Sequence, residues 1–204
     1  MKVKQEKTRT VIIRQINESP NGTLFFSNSF PEYDDEYVGQ ILSGLVSEGL
    51  IYRLCRGVYL KAEKTRFGIV YPSISEIAEA IGKRDNAQVL PTGAAVLNLI
   101  GLSTQIPMNP IFLTSGSARI VKIGNRTITF KRAVPKNFAI TGEKRKLIVQ
   151  AMKYIGEQNM TEQDYRAFSD LILQYPEKDT LEKDLPAMPT WIRRHYLKTL
   201  KGEE

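Results

Sequence analysis

The chain of 204 residues has one cysteine and one histidine, and this scarcity excludes several kinds of site. A single cysteine cannot form an internal disulfide, and one cysteine with one histidine cannot supply a zinc cluster. No apolar run reaches the length of a transmembrane helix. The first residues lack the apolar core of a secretion signal. We therefore expect a cytoplasmic protein with no membrane partner, no metal site and no cofactor.

Residue groups that typically carry catalysis are also missing. His195 follows two arginines on a predicted helix, which is typical of a surface or half-buried residue rather than a catalytic base. No histidine lies near Cys55 in sequence, although the adjacent Arg56 could lower the pKa of its thiol. The segment 114–117 is too short for a phosphate-binding loop and lacks its Gly-Lys pair. The segment 91–93 precedes a helix, so its amides either hold an anion or only form a tight strand-to-helix turn. The sequence predicts a protein that is not an enzyme.

The charge favours a polyanionic partner. Hydrophobic residues make up 42% of the chain, enough for a core, and the formal net charge is +7. Residues 1–66 carry a net charge of +2, residues 67–140 carry +5, and residues 141–204 are neutral. If only the first of these segments touched nucleic acid, the charge of the middle segment would be unexplained.

The most informative pattern lies between Val38 and Leu60. Val38, Ile41, Leu42 and Leu45 form one apolar stripe of a helix over about 35–48, with Asp34 and Asp35 as candidate N-caps and Gly49 as the stop. Strand-forming residues interrupted by Arg53, Arg56 and Gly57 then predict a short basic hairpin. With a helix over 8–18, a strand over 23–26 and a very short helix after it, this order is typical of a winged helix-turn-helix.

The sequence predicts an α+β fold with three modules. The winged helix-turn-helix covers 1–62, a mixed α/β module covers 67–140, and a helical C-terminal region covers 141–204. The last two either form separate modules or pack together as one domain. Lys61–Arg66 is polar and is predicted to be a linker. In the middle module, Ser73 and Glu76 predict a capping box, and Gly124-Asn125 predicts the turn of a β-hairpin.

The outward face of helix 35–48 offers candidate contacts to DNA. Gln40 could read adenine in the major groove, and Tyr37 or Ser43 could hold phosphate. In the hairpin, Arg53 and Arg56 are candidate phosphate ligands. The helix has no lysine or arginine and begins with acidic residues. A helix that only packs against the core is therefore the alternative.

A second basic surface is predicted around the hairpin at 119–132. Threonines separate its cations, as expected for a ribbon that follows a phosphate backbone. The alternative is an edge hairpin whose charges prevent aggregation between sheets. The candidate residues of this surface are Arg119, Lys122, Arg126, Lys131 and Arg132.

Four segments resemble a known family over roughly residues 5–140. They are S-E-G-L-I-Y-R-L-C-R-G-V-Y-L, F-G-I-V-Y-P-S-I-S-E-I-A-E-A-I, P-T-G-A-A-V-L-N-L-I-G-L-S-T-Q-I-P and the hairpin ending I-T-F-K-R. Their order is similar to that in the AbiEi-like antitoxins of bacterial abortive-infection (type IV) toxin–antitoxin systems, which act in phage defence, and in their uncharacterised relatives.

The resemblance implies a function. Members carry a winged helix that binds inverted repeats in their own promoter and represses the operon, and a C-terminal domain with antitoxin activity. The counterpart is a nucleotidyltransferase-like toxin, with which no stable complex forms. By position, helix 35–48 would read double-stranded DNA, and the wing would hold Arg53, Arg56 and Tyr59. The alternative is a non-catalytic protein- or RNA-interaction module in which the winged helix is only structural.

Overall fold

Helices and short strands alternate along the chain in a computed structural model that describes residues 7–202. They form two compact units, one of residues 7–86 with 122–125 and the other of residues 87–121 with 126–202. The predicted α+β class is confirmed. The units divide between Asn86 and Ala87, and the three-module division at 62, 67 and 140 stays a prediction.

The first unit is built from three helices and two small sheets. Strand β3 lies between β1 and β2 and is antiparallel to both, while β4 and β5 form a separate hairpin. Its elements are α1 (Thr8–Glu18), β1 (Leu24–Phe25), a 3-10 turn (Ser27–Ser29), α2 (Asp35–Ser47), β2 (Tyr52–Cys55), β3 (Val58–Leu60), β4 (Glu63–Thr65), β5 (Gly68–Val70) and α3 (Ile74–Arg84).

Helix α2 has the limits that the sequence predicts to within a residue. The carboxylate of Asp34 accepts a hydrogen bond from the Tyr37 amide at 2.9 Å, which makes Asp34 the N-cap. Gly49 adopts φ +74°, and its amide donates to the carbonyl of Val46. The predicted apolar stripe is buried with Ile12, Ile16, Phe25, Phe30, Ile51 and Tyr59 in the core of the unit.

The segment after β3 is more ordered than predicted. Residues 63–65 are not an irregular linker, because β4 pairs with β5 in a regular antiparallel register. Lys61 donates to the carbonyls of Asn17 and Ser19 at 2.7 and 2.6 Å, and so satisfies the C-terminal end of α1. The sequence does not reveal this hairpin because every residue of β4 is exposed, so no apolar alternation marks the strand.

The second unit contains most of the helices. Its four-stranded sheet has the order β6-β7-β9-β8, with β7 parallel to β9 and antiparallel to β6. Residues 122 and 123, at the end of β8, group with the first unit. The elements are β6 (Val89–Thr92), α4 (Ala94–Leu99), β7 (Ile111–Thr114), β8 (Arg119–Ile123), β9 (Arg126–Arg132), α5 (Glu143–Ile155), α6 (Glu162–Gln174), α7 (Lys178–Asp184) and α8 (Thr190–Lys201).

The helices of this unit share one hydrophobic core, and three of those that form it lie in the region predicted to be helical, 141–204. Residues of α4, α5, α6 and α8 form one buried cluster that includes Val96, Met152, Phe168, Ile192 and Tyr196. The capping box at Ser73 in the first unit and the hairpin at Gly124-Asn125 are confirmed, whereas α7 has no counterpart in the sequence prediction. Among residues 7–202, no helix has both the length and the apolar character needed to cross a bilayer.

Candidate nucleic-acid interface

An open cleft of about 580 Å³ lies between α2 and the β2–β3 hairpin of the first unit. It brings together five of the six residues predicted to bind DNA, and Tyr37 lies on the same helix with 49% of its surface exposed. The full lining is Glu36, Gly39, Gln40, Ser43, Arg53, Arg56, Gly57 and Tyr59.

Helical and strand periodicity place these side chains. Glu36, Gln40 and Ser43 are spaced four and three residues apart, so they form a stripe on the face of α2 that the core does not use. Across the hairpin, Arg53 is the direct antiparallel partner of Tyr59, which puts both side chains on one face of the sheet. The cleft is therefore formed where two regular surfaces meet.

Tyr59 differs from the other candidates because it is 4% exposed. Its ring belongs to the core, and its hydroxyl lies 3.1 Å from the Ser43 Oγ. This hydrogen bond links β3 to α2 and orients the Ser43 hydroxyl, which lines the cleft. The geometry gives Tyr59 a positioning role, with little surface of its own for a ligand.

The two arginines carry the positive charge of the cleft. Arg53 and Arg56 are exposed, and the Nε of Arg53 donates to the carbonyl of Cys55 at 3.4 Å. Glu36 lines the same cleft and repels phosphate from the beginning of α2. An anionic backbone can thus approach closely on the hairpin side, and the helix side is suited to uncharged contacts through Gln40.

The second predicted surface is divided by the pleat of its strands. Arg126 and Arg132 share a face of β9 with the buried Phe130, while Lys131 points to the other face. The guanidinium of Arg119 lies 5.3 Å from the centre of the Phe130 ring. Lys122 is exposed and lies three residues after Arg119 on β8, so the two side chains are on opposite faces of the strand. The five cations therefore belong to two faces, and a role in binding stays a prediction.

The second unit contains a buried ion pair that the sequence does not predict. Arg145 and Asp184 are both 0% exposed, and their nearest atoms, Nη1 and Oδ2, are 2.6 Å apart. The guanidinium also donates to the Thr180 hydroxyl and to the carbonyls of Pro176 and Glu177. The run E-K-R-K around Arg145 is typical of a solvated helix face, so the sequence gives no signal of this burial.

The carboxylate of Asp184 is held in its charged form. Burial by itself raises the pKa of this group. Hydrogen bonds from the amides of Thr141 and Gly142, from Arg145 and from the Thr141 hydroxyl outweigh burial and hold the pKa below its ordinary value. The network closes the start of α5 onto α7 and serves the stability of the unit.

His195 lies half-buried on α8, as the sequence predicts. Its Nε2 is 3.3 Å from the Ser169 Oγ, and its ring packs 5.0 Å from that of Tyr165. Burial, with the nearby charge of Lys198, lowers the pKa of the imidazole. Within residues 7–202, no group of three or more His, Cys, Asp or Glu side chains is placed to hold a metal ion.

Comparison with known proteins places the chain in a family. A search of curated proteins found no match. The model of the family DUF6088, described as a family of unknown function, matches residues 11–180 and thus most of the chain. The match begins within α1 and ends within α7, so it includes the cleft and Arg145 but stops before Asp184. The protein belongs to the DUF6088 family.

Proposed function

We propose that the protein is a DNA-binding transcriptional autoregulator whose first unit works as a winged helix-turn-helix. The observation that carries the proposal is the cleft, which gathers Gln40, Ser43, Arg53 and Arg56 on one surface. The element order supports it, because α1, β1, the 3-10 turn and α2 precede a hairpin whose second strand pairs with β1. In such modules the helix before the hairpin enters the major groove.

In this proposal the cleft residues have different roles. Gln40 makes bidentate contacts to adenine, and Tyr37 at the edge of α2 holds phosphate or sugar. Arg53 and Arg56 bind the phosphate backbone beside the groove. The hydroxyls of Ser43 and Tyr59 act as one hydrogen-bonded pair that keeps the hairpin at a fixed distance from the helix.

The biological part of the proposal is supported by the resemblance of the four sequence segments. We infer that the protein represses its own operon at inverted repeats and acts as the antitoxin to a nucleotidyltransferase-like toxin, without a stable complex. This role places it in the cytoplasm and requires no catalytic site. A reading frame for such a toxin next to its gene is the expected genomic context.

Titration of a duplex from the region upstream of the gene tests the DNA-binding part. Removing two phosphate contacts with Arg53→Ala plus Arg56→Ala should reduce the slope of log K against log salt by about 1.8. Arg166→Ala plus Arg194→Ala, which removes two exposed cations from the other unit, is the matched control and should leave the slope unchanged. A salt-independent interaction, or equal slopes for both double variants, contradicts the proposal.

A second candidate function is favoured by the charge on α2. Glu36 lines the cleft, and the helix contains no lysine or arginine. These features also suit a winged helix that is only structural, in a protein that binds another protein or an RNA through the hairpin at 119–132. The wild-type protein should then bind the promoter only weakly, and Lys122→Glu plus Arg126→Glu should abolish neutralisation of the toxin. If neutralisation survives, this second function is wrong.

A further inference from the structure

The turn of the β4–β5 hairpin presents an aromatic side chain that packing does not explain. Phe67 is 86% exposed, more than any other large hydrophobic residue of residues 7–202. The guanidinium of Arg66 lies 4.6 Å from the centre of its ring. A side chain that stays this exposed removes little apolar surface from water on folding and so contributes little to stability. Phe67 therefore has no stabilising role that the folded unit reveals.

The backbone of this turn is nevertheless held in place. The hydroxyl of Thr65 accepts a hydrogen bond from the Phe67 amide at 3.2 Å and donates to the carbonyl of Gly68 at 3.0 Å. Gly68 has φ +115°, a conformation that favours glycine. The two turn residues, Arg66 and Phe67, have no special turn propensity, since short turns favour Asn, Asp, Gly and Pro. An ordered turn thus presents a cation and an aromatic ring to solvent.

The charge around the ring indicates what kind of partner covers it. Lys64 and Arg66 flank the tip, both are exposed, and the Nζ of Lys64 lies 5.7 Å from the centre of the Tyr52 ring. The one acidic residue of the hairpin, Glu63, lies at its base opposite Val70. Double-stranded DNA is a polyanion whose stacked base pairs have apolar faces. It is therefore complementary to a cationic tip with an apolar centre.

We infer that the tip of the β4–β5 hairpin enters the minor groove of double-stranded DNA. Phe67 acts as a wedge that partly unstacks neighbouring base pairs, as apolar side chains do in proteins that bend DNA from this groove. Arg66 binds along the negative floor of the groove. The inference rests on the proposed function and adds to it a contact outside the major groove and outside the cleft.

The experiment uses the full chain and the upstream duplex carrying 2-aminopurine, whose fluorescence increases when its base is unstacked. Binding of the wild-type protein should raise the fluorescence at one position of the duplex. Phe67→Ala should remove that increase and weaken binding roughly tenfold. Phe67→Leu, which keeps an apolar wedge, should retain most of the increase. Arg66→Ala should reduce the salt slope by about one.

Val70→Ala is the matched control, because it removes another exposed apolar side chain from the same hairpin. It should change neither affinity nor fluorescence. If the wild-type protein binds DNA through Arg53 and Arg56 but Phe67→Ala changes neither signal, the minor-groove contact is wrong and the proposed function stands. If the wild-type protein does not bind the duplex at all, both are wrong. A shift in oligomeric state caused by Phe67→Ala without DNA would assign the tip to a second copy of the chain and overturn the inference.

Discussion

The two units use arginine in opposite ways. Arg53 and Arg56 in the first unit are exposed at the cleft, so their charges face solvent and any approaching ligand. Arg145 in the second unit is 0% exposed and donates four hydrogen bonds through its two terminal nitrogens. The net charge of +7 therefore does not by itself indicate a binding surface, because part of the positive charge stabilises the fold.

The largest expected effect is the loss of the buried cation. Arg145→Ala leaves Asp184 buried without its partner and should destabilise the second unit by about 3–5 kcal/mol. Urea denaturation monitored by the fluorescence of Trp191, the only tryptophan and a neighbour of the helical core, measures this change. Lys146→Ala, in the next position of α5, is the control and should have a small effect. Equal stabilities for the two variants would show that the network contributes nothing.

The Arg145–Asp184 ion pair should also make the stability of the second unit depend on pH in the acid range. Because the folded pKa of Asp184 is below the ordinary value of 3.8, its contribution is complete above that value and is lost as the pH falls through the folded pKa. Asp184→Asn should therefore flatten the acid side of the stability profile, measured by the same denaturation. Asp179→Asn, at an exposed carboxylate of the same helix, should leave the profile close to that of the wild type.

Two glycines offer a smaller and more local test. A Cβ at Gly142 would lie 2.5 Å from the Glu177 Oε2 and 2.8 Å from the Arg145 Nη1, so Gly142→Ala should destabilise the second unit by about 1–3 kcal/mol. Gly44→Ala, inside α2, meets no atom within 4 Å and should stabilise the first unit by about 0.5–1 kcal/mol. We expect the two substitutions to shift the midpoint of thermal unfolding in opposite directions. Shifts in the same direction would contradict the packing that we describe.

The N-cap of α2 should contribute about as much to stability as a typical N-cap does. Asp34→Ala removes the acceptor of the Tyr37 amide and should cost about 1 kcal/mol. Amide hydrogen exchange within α2 measures the loss directly, since the effect concerns one helix. Asp35→Ala is the control, because Asp35 follows the cap and is exposed. If the amides of α2 exchange faster in Asp35→Ala than in Asp34→Ala, Asp34 is not the N-cap.

The smallest effect on stability is expected at the cleft. Arg53→Ala plus Arg56→Ala removes two exposed side chains and should change the free energy of unfolding by no more than about 0.5 kcal/mol per residue. Far-UV circular dichroism during thermal unfolding checks this. Together with a reduced affinity for DNA, an unchanged stability would separate ligand-binding arginines from structural ones. A loss as large as that of Arg145→Ala would remove the contrast between the units.

Regular periodicity explains which parts of the fold could be predicted. Helix α2 repeats its apolar residues every three to four positions and has a cap at each end, so its limits follow from local sequence. Hairpin β4–β5 and helix α7 carry no such pattern, because β4 is wholly exposed and α7 is short and polar. They form through backbone pairing and through the contacts of Asp184, which local sequence does not specify.

Local sequence is enough to predict the α+β class, the main helices and the candidate residues of the cleft, because amphipathic spacing and turn chemistry act over a few positions. Which of these residues meet, and what each can do, depends on the tertiary fold. Tyr59 is a candidate ligand in the sequence and a buried support for Ser43 in the fold. Arg145 lies in the run E-K-R-K, which predicts a solvated helix face, and yet its side chain is 0% exposed in the fold. Which charged side chains are buried or paired depends on residues far away in the chain. Burial and pairing in turn decide which charges are available to a ligand.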